Sequence, residues 1–357
     1  MTNYSPYILW DSGTAYDLFA SLHVLHHPDR FGLRGSWAAG VRSRLSLPQR
    51  TILEDAQELF FSSPVAWVSS LPDPKDAETA LRSLDQISPK DRLPTLAFHA
   101  DEAPDIFELL KGVFIRRTWT EADLERLRHD RHLKERLSKP ESLIKILNWW
   151  SHPEEFGERY LAALQAYIAV FFGEEERRIK PYLQQALDKA QELATRLDFS
   201  KLFIELSQGV KIAALEEAEE VIFVPSYWIT PLVVVDCVIE KQWVVLYGAR
   251  PAEAALVPGE VVPDAMLQAL KALSDPTRLH ILRYLSDEPL APSQLAKKLR
   301  LRAPTVIHHL NILRLAGLVY ITLVEREEKR YTVRETAVAD TFDALRKFLS
   351  ENKMDSV

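Results

Sequence analysis

The strongest constraint lies in the last quarter of this 357-residue chain. Ser274-Asp275-Pro276-Thr277-Arg278 opens a helix, with Asp275 as N-cap and Pro276 at the first helical position, where a missing N–H costs nothing. Leu279, Leu282 and Leu285 form its expected core face. A short helix over Ser293–Leu299 buries Leu295 and Leu299, and Arg300-Leu301-Arg302 leads into a further helix that stops at Gly317, a C′ glycine. Val306, Leu310 and Leu313 then fall on one face of that helix.

The opposite face presents Thr305, His308, Ile312 and the exposed parts of Ile307 and Asn311, with Ala303 near the start and Arg302 and Arg314 flanking it. Short side chains at the N-terminal end of such a helix suit base edges in a major groove. Beyond Gly317, Val319, Ile321 and Leu323 alternate with Tyr320, Thr322 and Val324, which is strand periodicity. Arg326-Glu327-Glu328-Lys329 reads as a charged turn and Arg330–Val333 as a returning strand. The order is that of a winged helix-turn-helix, whose wing offers Arg326, Lys329 and Arg330 to phosphates or a minor groove. A last helix over Glu335–Ser350 sets Phe342, Leu345 and Leu349 on one side, as a dimer interface requires.

The segment Ala269–Val333 resembles the ArsR-type winged helix. The resemblance is carried by Leu273-Ser274-Asp275-Pro276-Thr277-Arg278, Ile281-Leu282, Gln294-Leu295-Ala296, Pro304-Thr305-Val306, His308-His309-Leu310, Leu313 and Ala316-Gly317-Leu318-Val319. It implies a homodimeric bacterial or archaeal transcription regulator whose operator affinity changes when a ligand binds. Two departures matter. Many members carry a polar pair where this chain has Ala303 and Ile307, so readout falls on Thr305, His308 and Asn311, with Ile307 against a thymine methyl. Metal-sensing members use cysteines before the recognition helix or His and carboxylate clusters on the last helix. Here the region has no cysteine and no histidine after His309, so no metal is expected.

Charge supports a two-part chain. Residues 264–357 carry 15 Lys and Arg against 12 acids, while residues 1–263 carry 29 against 39, dividing the net charge of −7 into +3 and −10. A basic reader on an acidic body fits nucleic-acid binding through one end only. The sole cysteine, Cys237, lies in an apolar strand, where a buried, inert thiol is expected. The N-terminus Met1–Pro6 lacks a charged-then-apolar leader, and no apolar run has membrane-spanning length, so cytoplasm is the expected location.

The preceding 250 residues read as a mainly helical effector-sensing or dimerisation domain. Helical spacing appears over Thr14–His27, Pro48–Phe60, Glu121–Leu137, Glu141–Trp150, Glu158–Phe172 and Glu174–Leu197. Strands are expected over Glu220–Val224, Leu232–Ile239 and Gln242–Tyr247, the last two joined by a hairpin turn at Glu240-Lys241. Residues 251–263, with three prolines, form a linker to the DNA-binding domain at 264–350. The expected fold class is mainly α with small antiparallel β elements. Phe31–Gly40, Leu206-Ser207-Gln208-Gly209, Val224-Pro225-Ser226 and Leu246-Tyr247-Gly248-Ala249-Arg250 resemble an uncharacterised domain found ahead of ArsR-type winged helices, which implies sensing or dimerisation by analogy.

All eight tryptophans precede the linker. Core packing is the stronger reading for any one, but adjacent Trp149 and Trp150 cannot both face one core; with Tyr167 and Phe171 they are the candidate effector pocket. His23 and His27, one turn apart, lack a close Glu or Cys and read as a solvated or capping pair; His129 and His132 read as part of a charged helix face. The chain has no phosphate loop, dinucleotide fingerprint, nucleophile elbow or HExxH. No catalytic residue and no cofactor are therefore assigned. The reading is a cytoplasmic, homodimeric, sequence-specific regulator, a repressor, binding double-stranded operator DNA under control of a small organic effector, with no membrane partner. A constitutive or architectural DNA-binding protein whose N-terminal domain makes protein contacts is the alternative, and a DNA-linked enzyme ranks below it.

Overall fold

The computed structural model describes residues 5–31, 33, 35–60, 64–97, 104–130, 140–212, 215, 217–251, 254, 263–323 and 329–351. A short strand β1 (Tyr7–Trp10) precedes α1 (Thr14–His26), α2 (Gly35–Arg42), α3 (Leu47–Leu59), α4 (Val65–Ser69) and α5 (Ala77–Gln86). Then come α6 (Pro89–Ala97), α7 (Pro104–Arg116), α8 (Glu121–His129), α9 (Pro140–Ser151) and α10 (Pro153–Tyr167). A π-helical turn at Ile168–Phe172 carries α10 into α11 (Gly173–Ala194), and α12 (Phe199–Leu206) completes the helical body. Four strands follow: β2 (Lys211–Ile212), β3 (Glu220–Ser226), β4 (Val234–Ile239) and β5 (Gln242–Gly248). The C-terminal unit runs α13 (Asp264–Leu273), α14 (Pro276–Asp287), α15 (Pro292–Leu299), α16 (Ala303–Leu315), β6 (Val319–Leu323), β7 (Arg330–Val333) and α17 (Glu335–Glu351).

Helix α1 is the hub of the body. Its run Thr14–Leu22 is buried all round, as for a helix with apolar residues on every face. Three cores form. The largest joins α1 to the surrounding helices and to one face of the body sheet through Val224, Val244 and Leu246. Alternation along the same strands turns Val221, Phe223, Val245 and Tyr247 to a second core under Phe199, Leu202 and Phe203 of α12. The third belongs to the C-terminal unit: Ile281, Leu285, Leu295, Val306, Leu310, Leu313 and Tyr331.

The mainly α class with small sheets is the one observed, but strand pairing is mixed. The body sheet has the order β1-β3-β5-β4; β1, β3 and β5 are mutually parallel, and β4 alone runs antiparallel, on β5. Sequence neighbours reveal only the β4–β5 hairpin. Of the parallel pairs, β1–β3 joins segments separated by the whole helical body and β3–β5 skips over β4, neither of which a local pattern reports. Helices α2, α4 to α7, α12 and α13 have no counterpart among the segments expected from sequence. The last residues expected in the helix beginning at Glu121 lie outside the described set.

One buried carboxylate ties body to sheet. Asp17 of α1, inaccessible to solvent, accepts hydrogen bonds from Ser226 Oγ at 2.7 Å, Trp228 N at 2.9 Å and Tyr227 N at 3.1 Å. Around it, Ala249 N donates to Ser226 O and Arg250 N to Thr230 Oγ1, so the chain leaving β3 and the chain leaving β5 are stitched together. Burial outweighs the three donors and raises the Asp17 carboxyl to about 6. The folded value exceeds the ordinary carboxylate value of 3.8, so folding takes up a proton. Asp17 therefore stabilises most below about pH 4, and that part is lost as pH rises through about 6. Asp17→Ala strands two buried backbone donors and is expected to destabilise by roughly 2–4 kcal/mol at neutral pH. The difference from wild type should grow by on the order of 2–3 kcal/mol at pH 4, measured by urea unfolding followed by tryptophan fluorescence. A pH-independent difference would contradict this assignment.

Candidate nucleic-acid interface

The site is built on α16, and the residues before it fix its position. Asp275 caps α14 by accepting from Arg278 N at 2.9 Å, and this bond holds its carboxyl below the usual range. The Arg278 guanidinium turns back, Nε donating to Ala272 O at 2.7 Å and Nη2 to Lys271 O at 2.8 Å, and so locks α14 against the end of α13. The Asp-Pro-Thr-Arg motif is thus structural. The core face of α14 differs from expectation: Leu279 is 46% exposed, and Ile281 at 0% joins Leu282 and Leu285 inside. The apolar stripe is centred further along the helix, leaving Leu279 in the solvent-facing first turn.

Arg300 closes α15 in the left-handed conformation, φ 55°, and the chain turns directly into α16. Val306, Leu310 and Leu313 are each 0% exposed, so the opposite face of α16 must point outward. Arg302, Ala303, Thr305, Ile307, His308 and Asn311 all stand exposed, whereas Ile312, expected on this face, is partly buried against the core of the winged helix. Ile307, 43% exposed, is an apolar side chain held in water at the centre of this face, available to a thymine methyl. His309 turns inward to Asp275, with Nδ1 to Oδ1 at 3.9 Å, and partial burial pushes its imidazole down. Gly317, φ 68°, ends the helix, and Leu318 N returns to Leu313 O at 2.9 Å.

The two wing strands pair antiparallel, Thr322 opposite Arg330 and Val319 opposite Val333, and Leu290 bridges Tyr331. Lys329 and Arg330 are exposed; Arg326 lies outside the described residues. Arg314 behaves differently from its companions. It is half-buried, turned from the exposed face of α16 into a cavity against the body, and burial pushes its guanidinium down. Arg300, in the connection Arg300-Leu301-Arg302 but assigned no contact from sequence, is also exposed before α16, and its basic side chain next to Arg302 was the available signal.

The aromatic group of the body is chiefly interior. Trp150 and Tyr167 are fully buried, and Ser21 Oγ lies 2.9 Å from Tyr167 Oη. Trp149 is half-buried, its Nε1 donating to Asp55 Oδ2 at 3.1 Å, and Phe171 packs edge-on to Trp37 and Trp228. Both tryptophans nonetheless pack on the same core, Trp150 within it and Trp149 at its margin against Phe156, contrary to the expectation that adjacent positions cannot share one. Cys237 is buried, with Sγ 3.2 Å from Ile239 O. The His23 and His27 rings lie 4.6 Å apart, and among the described residues no three His, Cys, Asp or Glu converge on a metal position. His132 lies outside the described residues. No helix among them is long and apolar enough to cross a membrane.

Residues 275–320 match the family described as bacterial regulatory protein, arsR family. The chain is 39% identical over 80 residues to the HTH-type transcriptional regulator CmtR of Mycobacterium tuberculosis, covering 22% of this chain and 67% of that protein. It is 42% identical over 53 residues to an uncharacterized HTH-type transcriptional regulator, MJ1325, of Methanocaldococcus jannaschii, covering 15% and 60%. A solved ArsR-like transcriptional regulator from Rhodococcus sp. RHA1 aligns at 31% identity and TM-score 0.23, over 25% of this chain and 83% of the other. Through its C-terminal winged helix-turn-helix, the chain belongs to the arsR family of bacterial regulatory proteins.

Proposed function

We propose that this DNA-binding transcriptional regulator is a cytoplasmic homodimeric repressor, in which α16 reads a roughly palindromic operator and a small organic effector alters the placement of the two reading helices. The observation that carries the reading is the outward face of α16. Arg302, Thr305, His308 and Asn311 project from a helix whose other side is locked into a core, an arrangement suited to base edges with flanking cations on phosphate. Lys329 and Arg330 extend the basic surface along the wing. Residues 1–263 carry a net charge of −10, which as a whole disfavours a phosphate backbone.

Dimerisation is assigned to α17. Phe342 is 50% and Leu349 63% exposed, and both lie on the side of the helix that carries Leu345. Two such helices facing each other would bury those side chains and set two copies of α16 about 34 Å apart, one turn of the duplex. Half-sites fixed at that separation make operator affinity sensitive to small rotations of the reader, which gives an effector its leverage.

Three outcomes are expected. Arg330→Ala lowers affinity severalfold for every DNA sequence and reduces the log–log salt slope by about one, in fluorescence anisotropy titrations across a salt series. An unchanged slope removes Arg330 from the phosphate contacts. His308→Ala relaxes discrimination at one base position, worth about 1–3 kcal/mol, in binding selections from randomised operators; an unchanged preference excludes it as a reader. The double variant Phe342→Glu, Leu349→Glu retains its helical circular dichroism but sediments as a monomer with weakened operator binding. A dimer of unchanged stability would place the interface elsewhere.

A further inference from the structure

At the seam between body and winged helix lies a cavity of about 250 Å³. Its apolar wall comes from both sides: Val210, Ile212, Leu232 and Val235 from the body, Val319 and Ile321 from the wing. Two cations line it, Arg314 from the last turn of α16 and Lys329 from the wing, and no acidic residue does so among the described residues. In a chain with 51 acids, two cations and no acid among the described lining residues are an asymmetric arrangement. Neither has an ion pair among the described residues. Among the described residues Arg314 Nε is buried with no hydrogen-bond partner. A buried guanidinium N–H left unsatisfied is costly and calls for an acceptor. Ser207 is already committed, its Oγ bonding both Val210 N and Val210 O at 3.1 Å.

We propose that this cavity binds a small aliphatic carboxylate, the carboxylate received by Arg314 and Lys329 and the hydrocarbon lying on the wall of valines, leucine and isoleucines. The planar guanidinium matches a carboxylate through two parallel N–H bonds. A hydrated phosphate fits less well, since the apolar wall would strip water from oxygens it cannot satisfy. The volume is just below the range of about 300–1,000 Å³ usual for ligand pockets. At about 30 Å³ for each water-sized unit it accommodates on the order of eight heavy atoms, the size of hexanoate. Because the same side chains belong to the body, the wing and the recognition helix, a bound carboxylate bridges all three. The regulatory consequence rests on the effector reading above; occupancy of the site does not.

The test is isothermal titration calorimetry of the full chain with sodium hexanoate, with hexanol and inorganic phosphate as the uncharged and purely ionic probes. Operator binding is measured on the same preparation. Hexanoate is expected to bind saturably, to lose about tenfold or more in affinity in Arg314→Gln and severalfold in Lys329→Gln, while neither control ligand saturates. Lys329 is exposed, so its replacement keeps the test independent of any folding defect in Arg314→Gln. Absence of hexanoate binding in a preparation that binds operator overturns the site and leaves DNA recognition intact. Equal affinity for wild type and both variants, or phosphate matching hexanoate, also overturns it. Arg314-dependent hexanoate binding that leaves operator affinity unchanged confirms the site and removes the effector reading.

Discussion

The arrangement of the molecule depends on one close approach of backbone to ring. The turn after α12 places Gly209 at φ 93° directly beneath Tyr320 of β6. A Cβ there would fall 1.6 Å from Tyr320 Cδ1, so no other residue permits the fit. Gly209 N donates to Ile204 O at 2.7 Å, closing the turn, and the chain then adds β2 in parallel to the wing sheet, Lys211 opposite Thr322 and Ile212 opposite Leu323. Val210 packs on the core of the winged helix. The DNA reader thus takes its third strand from the body.

This seam gives the acidic body a mechanical role. Where the two parts meet only through a linker, a change in the body has no defined effect on α16. Here β2 is paired to the wing, Gln268 Nε2 of α13 donates to Phe31 O at 3.4 Å, and Gln208 lies 4.0 Å from where a Gly317 Cβ would stand. Farther back, the Asp17 knot fixes the chain leaving β3 and β5 to α1, so the edge of the seam is anchored in the deepest part of the body. Coupling between a ligand and DNA needs such an element with contacts on both sides, and the seam has them.

Legibility from sequence followed the range of the interactions. The winged helix was readable because its signals are local: the Asp275-Pro276 cap, the Val306, Leu310, Leu313 stripe, the Gly317 stop and the alternation after it all act within a few residues. The segments resembling an uncharacterised N-terminal domain proved to hold the joints of the body. Ser226 binds Asp17, Gly209 receives Tyr320, and Arg250 N meets Thr230 Oγ1. Their residues were visible, but their partners lie up to about two hundred positions away, and nothing in the local pattern names them. Arg314 shows the limit most clearly: its helical phase left it beside the reading face, and only the body packed against that end of α16 turned it into a cavity.

The central claim is that body and reader are joined through β2 and Gly209, and hydrogen–deuterium exchange of the full chain tests it most directly. Gly209→Val, incompatible with both the backbone angle and the Tyr320 ring, should leave β3, β5 and α16 protected while the amides of β6 lose protection, because their partner strand is displaced. Equal protection of residues 319–323 in both proteins would contradict the account, since the wing would then be held without the body.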